Sequence, residues 1–160
     1  MRINDPQKTP FKKQLREHGV ILEWVAKSRL EIDAARLVVL NAAITMDDHG
    51  PKAALREIAE AKVLVPQTAL TVIDRAVQSF GGAGVSQDTP LASMWAGIRT
   101  LRLADGPDEV HLQQMGRNEN KRGKEVTAKI EFQKRKTEEL LKRYGVKHAQ
   151  PGQNIQRSKL

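Results

Sequence analysis

Four groups of residues in this 160-residue chain have side chains and spacings that could do chemistry. In Ala104-Asp105-Gly106-Pro107-Asp108-Glu109, three carboxylates fall within five residues. A carboxylate held in a dry pocket can act as a general base. Asp-Gly between two helices is also an ordinary turn, and Asp108 and Glu109 suit the first turn of a helix opened by Pro107. In Gln78-Ser79-Phe80-Gly81-Gly82-Ala83-Gly84, glycines would let backbone approach a ligand, and Gln78 offers both donor and acceptor. The same glycines also read as a helix stop followed by a loop.

The third group is basic. Residues 1–116 balance 14 Lys and Arg against 14 Asp and Glu, whereas residues 117–160 carry 13 against 5, so the whole +8 net charge lies there. Lys121, Arg122, Lys124, Lys134, Arg135, Lys136, Lys142 and Arg143 could meet phosphates. Glu residues are interleaved and no reader motif is present, so no nucleic-acid partner is expected and a charged helix facing solvent accounts for them. The fourth group, His18, His49, His111 and His148, includes no Glu-x-x-His pair of the kind di-iron bundles use, and no metal is expected. With no cysteine there is no disulfide, thiolate nucleophile or Cys-ligated metal.

The elements that must position these groups are helical. Ile21, Val25, Ser28, Ile32, Ala35, Val39, Ala42 and Met46 alternate steps of four and three, which predicts one helix over about 17–46. Asp47 to Gly50 break it, and Pro51 could open a second helix. In that helix Ala54, Ile58, Ala61, Val65, Ala69, Val72 and Ala76 recur, with a kink expected at Pro66 and an end at Gly81 and Gly82. Leu91, Met94, Trp95, Ile98 and Leu101 mark a short third helix. A fourth, long helix follows Pro107, its later half charged and carrying a thin apolar line of Val126, Ile130, Leu140 and Tyr144. No period-two strand pattern competes, and no stretch approaches the roughly 18 to 20 apolar residues of a membrane span. The expected fold is an all-α, antiparallel four-helix bundle over residues 8–145, with a flexible tail over 146–160.

Residues 78–112, QSFGGAGVSQDTPLASMWAGIRTLRLADGPDEVHL, resemble the C-terminal domain of the acyl-CoA dehydrogenase family. The LADGPDEVHL wording is similar to the subgroup of family members ten and eleven. The resemblance implies FAD as cofactor, an acyl-CoA substrate, and Cα–Cβ desaturation of fatty acyl-CoA in β-oxidation. It makes Asp105 the position of the catalytic base, where the family usually has Glu, and Gly106 a substrate contact beside the thioester. Gln78, Ser79, Phe80, Gly81 and Gly82 would contact flavin, typically in a neighbouring subunit, and Pro107, Asp108 and Glu109 would border it. The segment Lys8-Thr9-Pro10-Phe11-Lys12-Lys13-Gln14-Leu15-Arg16-Glu17-His18 resembles the start of that bundle, with Lys8 where the family's Arg holds the flavin pyrophosphate. Lys8 keeps the charge without the bidentate fork.

By the same resemblance the chain is expected to form a homo-oligomer, dimer or tetramer. It is also expected to be incomplete alone, because the family's N-terminal and middle domains are missing from it. The alternative is a non-catalytic helical module that associates with full-length dehydrogenase subunits or another partner. Ser158-Lys159-Leu160 is the tripeptide read by the peroxisomal import receptor, which predicts a peroxisomal location.

Overall fold

The computed structural model describes residues 2–145, so Ser158, Lys159 and Leu160 lie outside the described residues. Its regular elements are short 3-10 turns at Arg2–Asn4, Pro10–Lys12 and Leu15–Glu17 and five α-helices. The helices are α1 (Gly19–His49), α2 (Leu55–Phe80), α3 (Gly82–Val85), α4 (Leu91–Leu101) and α5 (Asp108–Tyr144). All-helical architecture is therefore what the sequence specifies. Two compact units divide the chain, one ending at Gly116 and the other beginning at Arg117.

In the first unit α2 is the central element, packed against α1, α3 and α4. Its buried line is Ala59, Val63, Pro66, Leu70 and Ile73, alternating steps of four and three. Pro66 lies within continuous helix and is itself buried. Its ring fills core space at a position whose missing N–H removes one helical hydrogen bond. The second helix begins four residues later than Pro51 suggests, because residues 51–54 form a turn that closes through hydrogen bonds to the Gly50 carbonyl.

The face of α1 differs from the expected one. Ile21, Ala35 and Ala42 are buried and Ser28 is half-buried, as the stripe requires, but Val25, Ile32, Val39 and Met46 are 51, 38, 44 and 40% exposed. The partners of the buried line are instead Trp24, Glu31, Val38 and Thr45, all half-buried. Arg75 of α2 explains the choice: its guanidinium donates to Ser28 Oγ at 3.0 Å and to Glu31 Oε1 at 2.8 Å. A charged, hydrogen-bonded pair thus occupies a helix contact that hydrophobicity alone would give to Val25 and Ile32.

The second unit contains the rest of α5. Every side chain from Arg117 to Leu140 is exposed.

Candidate functional site

The first turns of the chain fold back on the C-terminal end of α2 and enclose a cleft of about 450 Å3. Lys8 and Thr9 from one side and Gln78, Ser79, Phe80 and Gly81 from the other line it, together with Arg2. Segments seventy residues apart, singled out separately in the sequence, therefore meet at one place. The closure is held by Arg2, whose Nη2 donates to the Phe80 carbonyl at 3.4 Å and whose guanidinium carbon stands 5.8 Å from the Phe80 ring centre. A ring nitrogen of His18 lies 3.2 Å from the Pro10 carbonyl oxygen and 3.4 Å from that of Lys13, pinning the turn between them. Within that turn Phe11 and Lys12 adopt left-handed φ values of 55° and 62°, a costly backbone for side chains of this size.

The glycines separate by role. Gly81 has φ +64°, which ends α2 in a conformation that favours glycine. Gly84 is forced by packing, since a Cβ there would stand 2.5 Å from the Val77 carbonyl oxygen. Gly82 has nothing of this chain within 4 Å of a would-be Cβ. Ser79 donates its hydroxyl to the Arg75 carbonyl at 2.8 Å, leaving oxygen lone pairs as what it can offer a ligand.

Two cations, two hydroxyls, two amides and an aromatic ring face this cleft, and no carboxylate does. Arg2 Nε is buried without a hydrogen-bond partner. The positive charge of Arg2 and Lys8, with no carboxylate to offset it, suits an anionic ligand with a polar edge, so the lining fits the phosphate and adenosine end of a dinucleotide cofactor. Arg2, like Gln7, is a cleft residue that sequence reasoning missed. It stands in no periodic pattern, and only the backward fold of residues 2–10 brings it to Phe80.

The carboxylate turn lies beside the N-terminal half of α2. Lys62 Nζ donates to the Leu101 carbonyl at 2.6 Å and to the Gly106 carbonyl at 3.2 Å. Arg102 Nε donates to Asp108 Oδ2 at 2.6 Å, and Gln67 Nε2 donates to the same oxygen at 3.2 Å. His111 completes the clamp, its Nε2 lying 3.3 Å from the Asp105 carbonyl oxygen. Gly106, at φ +98°, passes so close that an added Cβ would stand 3.3 Å from that same nitrogen.

Three carboxylates of this turn thereby take different places. Asp108 is buried. Burial alone would raise its pKa, but hydrogen bonds from Arg102 and Gln67 and attraction to Arg102 and Lys62 outweigh that and hold it below its ordinary value. A carboxylate so engaged is a structural counter-ion and a poor proton acceptor. Glu109 and Asp105 are exposed, Pro107 and Gly106 half-buried. Asp105 adopts φ 54°, which projects its side chain from a turn fixed on both flanks.

The cleft and the turn do not share one cavity in this chain. Lys62 and Gln78 are 16 residues apart on α2, about 24 Å along the helix axis.

Residues 6–119 match the family model described as acyl-CoA dehydrogenase, C-terminal domain. The chain belongs to the acyl-CoA dehydrogenase family. Its similarity to the subgroup of members ten and eleven holds. It is 53% identical over 125 residues to acyl-CoA dehydrogenase family member 11 of Gallus gallus, covering 78% of this chain and 16% of that protein. To family member 10 of Mus musculus it is 52% identical over 111 residues, covering 69% of this chain and 10% of that protein. Among solved structures, butyryl-CoA dehydrogenase from Megasphaera elsdenii superposes with a TM-score of 0.63 at 31% identity, covering 69% of this chain and 28% of that one. The acyl-CoA dehydrogenase C-terminal domain described here thus spans about a sixth or less of the length of these curated relatives. Among the described residues no helix is long and apolar enough to cross a membrane.

Proposed function

We propose that this chain forms the C-terminal bundle of an FAD-dependent acyl-CoA dehydrogenase that desaturates fatty acyl-CoA between Cα and Cβ in β-oxidation. The observation that carries the reading is the meeting of Lys8 and Thr9 with Gln78 to Gly81 around one carboxylate-free cleft. FAD, when bound, supplies the hydride acceptor. The chain's own part is to hold and to deprotonate. Lys8, Arg2 and Gln78 would hold the phosphate and adenosine end, with Ser79, Phe80, Gly81 and Gly82 beside them. Asp105 would accept the substrate's α-proton, while Gly106 gives the thioester close access and Pro107 to Glu109 border the flavin with backbone.

The separation of about 24 Å between Lys62 and Gln78 supports a division in which the cleft serves the cofactor of a neighbouring subunit and the turn serves its own. That arrangement requires a homo-oligomer, dimer or tetramer, and walls from the family's other domains, so the chain alone is a partial machine. Ser158-Lys159-Leu160 would send it to the peroxisome. A fluorescent-protein fusion should gather in peroxisomes with this tripeptide and stay diffuse when it is removed; identical distributions would refute the address.

Titration of the isotope-labelled chain with FAD, followed by amide NMR, tests the cofactor reading. Shifts concentrated at Lys8, Thr9 and Gln78 to Gly82 are expected, and shifts elsewhere or none at these positions would overturn it. A stable yellow complex that bleaches on adding a long-chain acyl-CoA would overturn the claim that the chain is incomplete.

A further inference from the structure

The exposed part of α5 has an order that the dehydrogenase reading does not use. Residues 120–144 lie beyond the matched family region, which ends at residue 119. Along this helix Gly123, Val126, Ile130, Gln133, Thr137, Leu140 and Tyr144 alternate steps of three and four, a period of 3.5. Val126, Ile130 and Leu140 are 47, 46 and 48% exposed, and Tyr144 is 71% exposed. A Cβ at Gly123 would meet nothing within 4 Å, so another backbone could come close there.

The flanks of this stripe are unlike each other. Immediately before each residue of the Gly123, Ile130, Thr137 and Tyr144 row stands a base: Arg122, Lys129, Lys136 and Arg143. The opposite flank, one residue after Val126, Gln133 and Leu140, is Thr127, Lys134 and Leu141. Neither flank contains an acid. The acids Glu125, Glu131, Glu138 and Glu139 lie on the outer faces, where they alternate with Lys124, Arg135 and Lys142. Two of the column bases make exposed contacts within the helix, Arg122 with Glu119 at 3.4 Å and Lys136 with Glu139 at 3.9 Å. Pairs this open contribute about 0–1 kcal/mol and are readily exchanged.

This pattern selects against a second copy of the same helix. In an antiparallel pair the basic columns would face each other; in a parallel pair they would face Thr127, Lys134 and Leu141 and gain nothing. A lipid surface or a polyphosphate would also meet the mixed outer faces, whereas a partner helix seated on the stripe meets only the basic column. We propose that residues 122–144 dock a partner helix whose apolar stripe is flanked by acidic residues, the heptad repeat setting register and the four bases setting partner choice.

The test uses the full 160-residue chain and a labelled synthetic helix of about four heptads, with Leu and Ile in its stripe and Glu in both flanking columns. Controls are a scrambled peptide of the same composition, phosphatidylserine vesicles and duplex DNA. Fluorescence anisotropy should show the patterned peptide bound roughly tenfold or more tightly than the scrambled one. Reversing the column (R122E, K129E, K136E and R143E together) should abolish that preference, as should Ile130→Asp, with helix content unchanged by circular dichroism. Equal affinity for the two peptides, or survival of the preference in either variant, would overturn the proposal. So would tighter binding to vesicles or DNA, or self-association through this segment in sedimentation.

Discussion

Arg102 and Asp108 join the residue that caps α4 to the first residue of α5 through a 2.6 Å hydrogen bond from Nε to Oδ2, with the Asp105 turn looped between them. Because the Asp108 pKa is lowered in the folded chain, the unfolded chain binds more protons at acid pH. The carboxylate therefore contributes stability that is fully present above its unfolded pKa of about 4 and is lost as pH falls through the folded value. Asp108→Asn should lower stability near neutral pH by about 1–3 kcal/mol and flatten the acid limb of a plot of Tm against pH. An unchanged acid limb would show that other carboxylates govern it.

Lys62 should act on the turn and not on the core. Its ammonium holds two carbonyls, those of Leu101 and Gly106, and Lys62→Met keeps the aliphatic stem while removing both bonds. Amide exchange within residues 101–106 should speed up in this variant, while protection around Val63, Leu70 and Ile73 stays as it was. Uniform loss of protection would mean that the lysine supports the whole bundle.

The neighbouring glycines of α3 should part company on substitution. Gly84→Ala drives a methyl against the Val77 backbone, so the α2–α3 junction must shift, and a loss of about 1–3 kcal/mol is expected. Gly82→Ala meets open space and should leave Tm within a degree or two. If flavin approaches there, the same variant should blunt the NMR shifts that FAD induces at Gln78 to Gly82.

How far the sequence could be read depends on what kind of interaction decides each position. On α1, Ile21, Ser28, Ala35 and Ala42 belong both to a pattern of fours then threes and to one of threes then fours, so their place on the inner face was legible. Which flank joins them was not, because Arg75 draws Glu31 inward from a helix far off in sequence, and Val25 and Ile32 are left lining an open groove beside Val72 and Ala76. Pro66 shows the same limit: its missing N–H was evident, its burial against neighbouring helices was not. In the candidate site, the turn and the glycine segment could be found as short motifs, since their chemistry is local. Arg2 and Lys62 act through carbonyls 78, 39 and 44 residues away, and such contacts leave no spacing to read.

Asp105 offers a sharper test of its own backbone. At φ 54° a residue with Cβ is strained unless its side chain tolerates the left-handed region, as Asp and Asn do, and glycine is free of the strain. Its side chain is exposed, so substitution creates no cavity. Thermal unfolding should therefore rank Asp105→Gly at or above the unsubstituted chain, Asp105→Asn close to it, and Asp105→Ala lower by about 1 kcal/mol. Asp105→Asn is then the informative variant for chemistry, since it keeps the backbone and the clamp by Lys62 and His111 while removing the proposed proton acceptor. Should Asn prove as destabilising as Ala, the carboxylate itself would be holding the turn, and its assignment as a base would have to compete with that structural role.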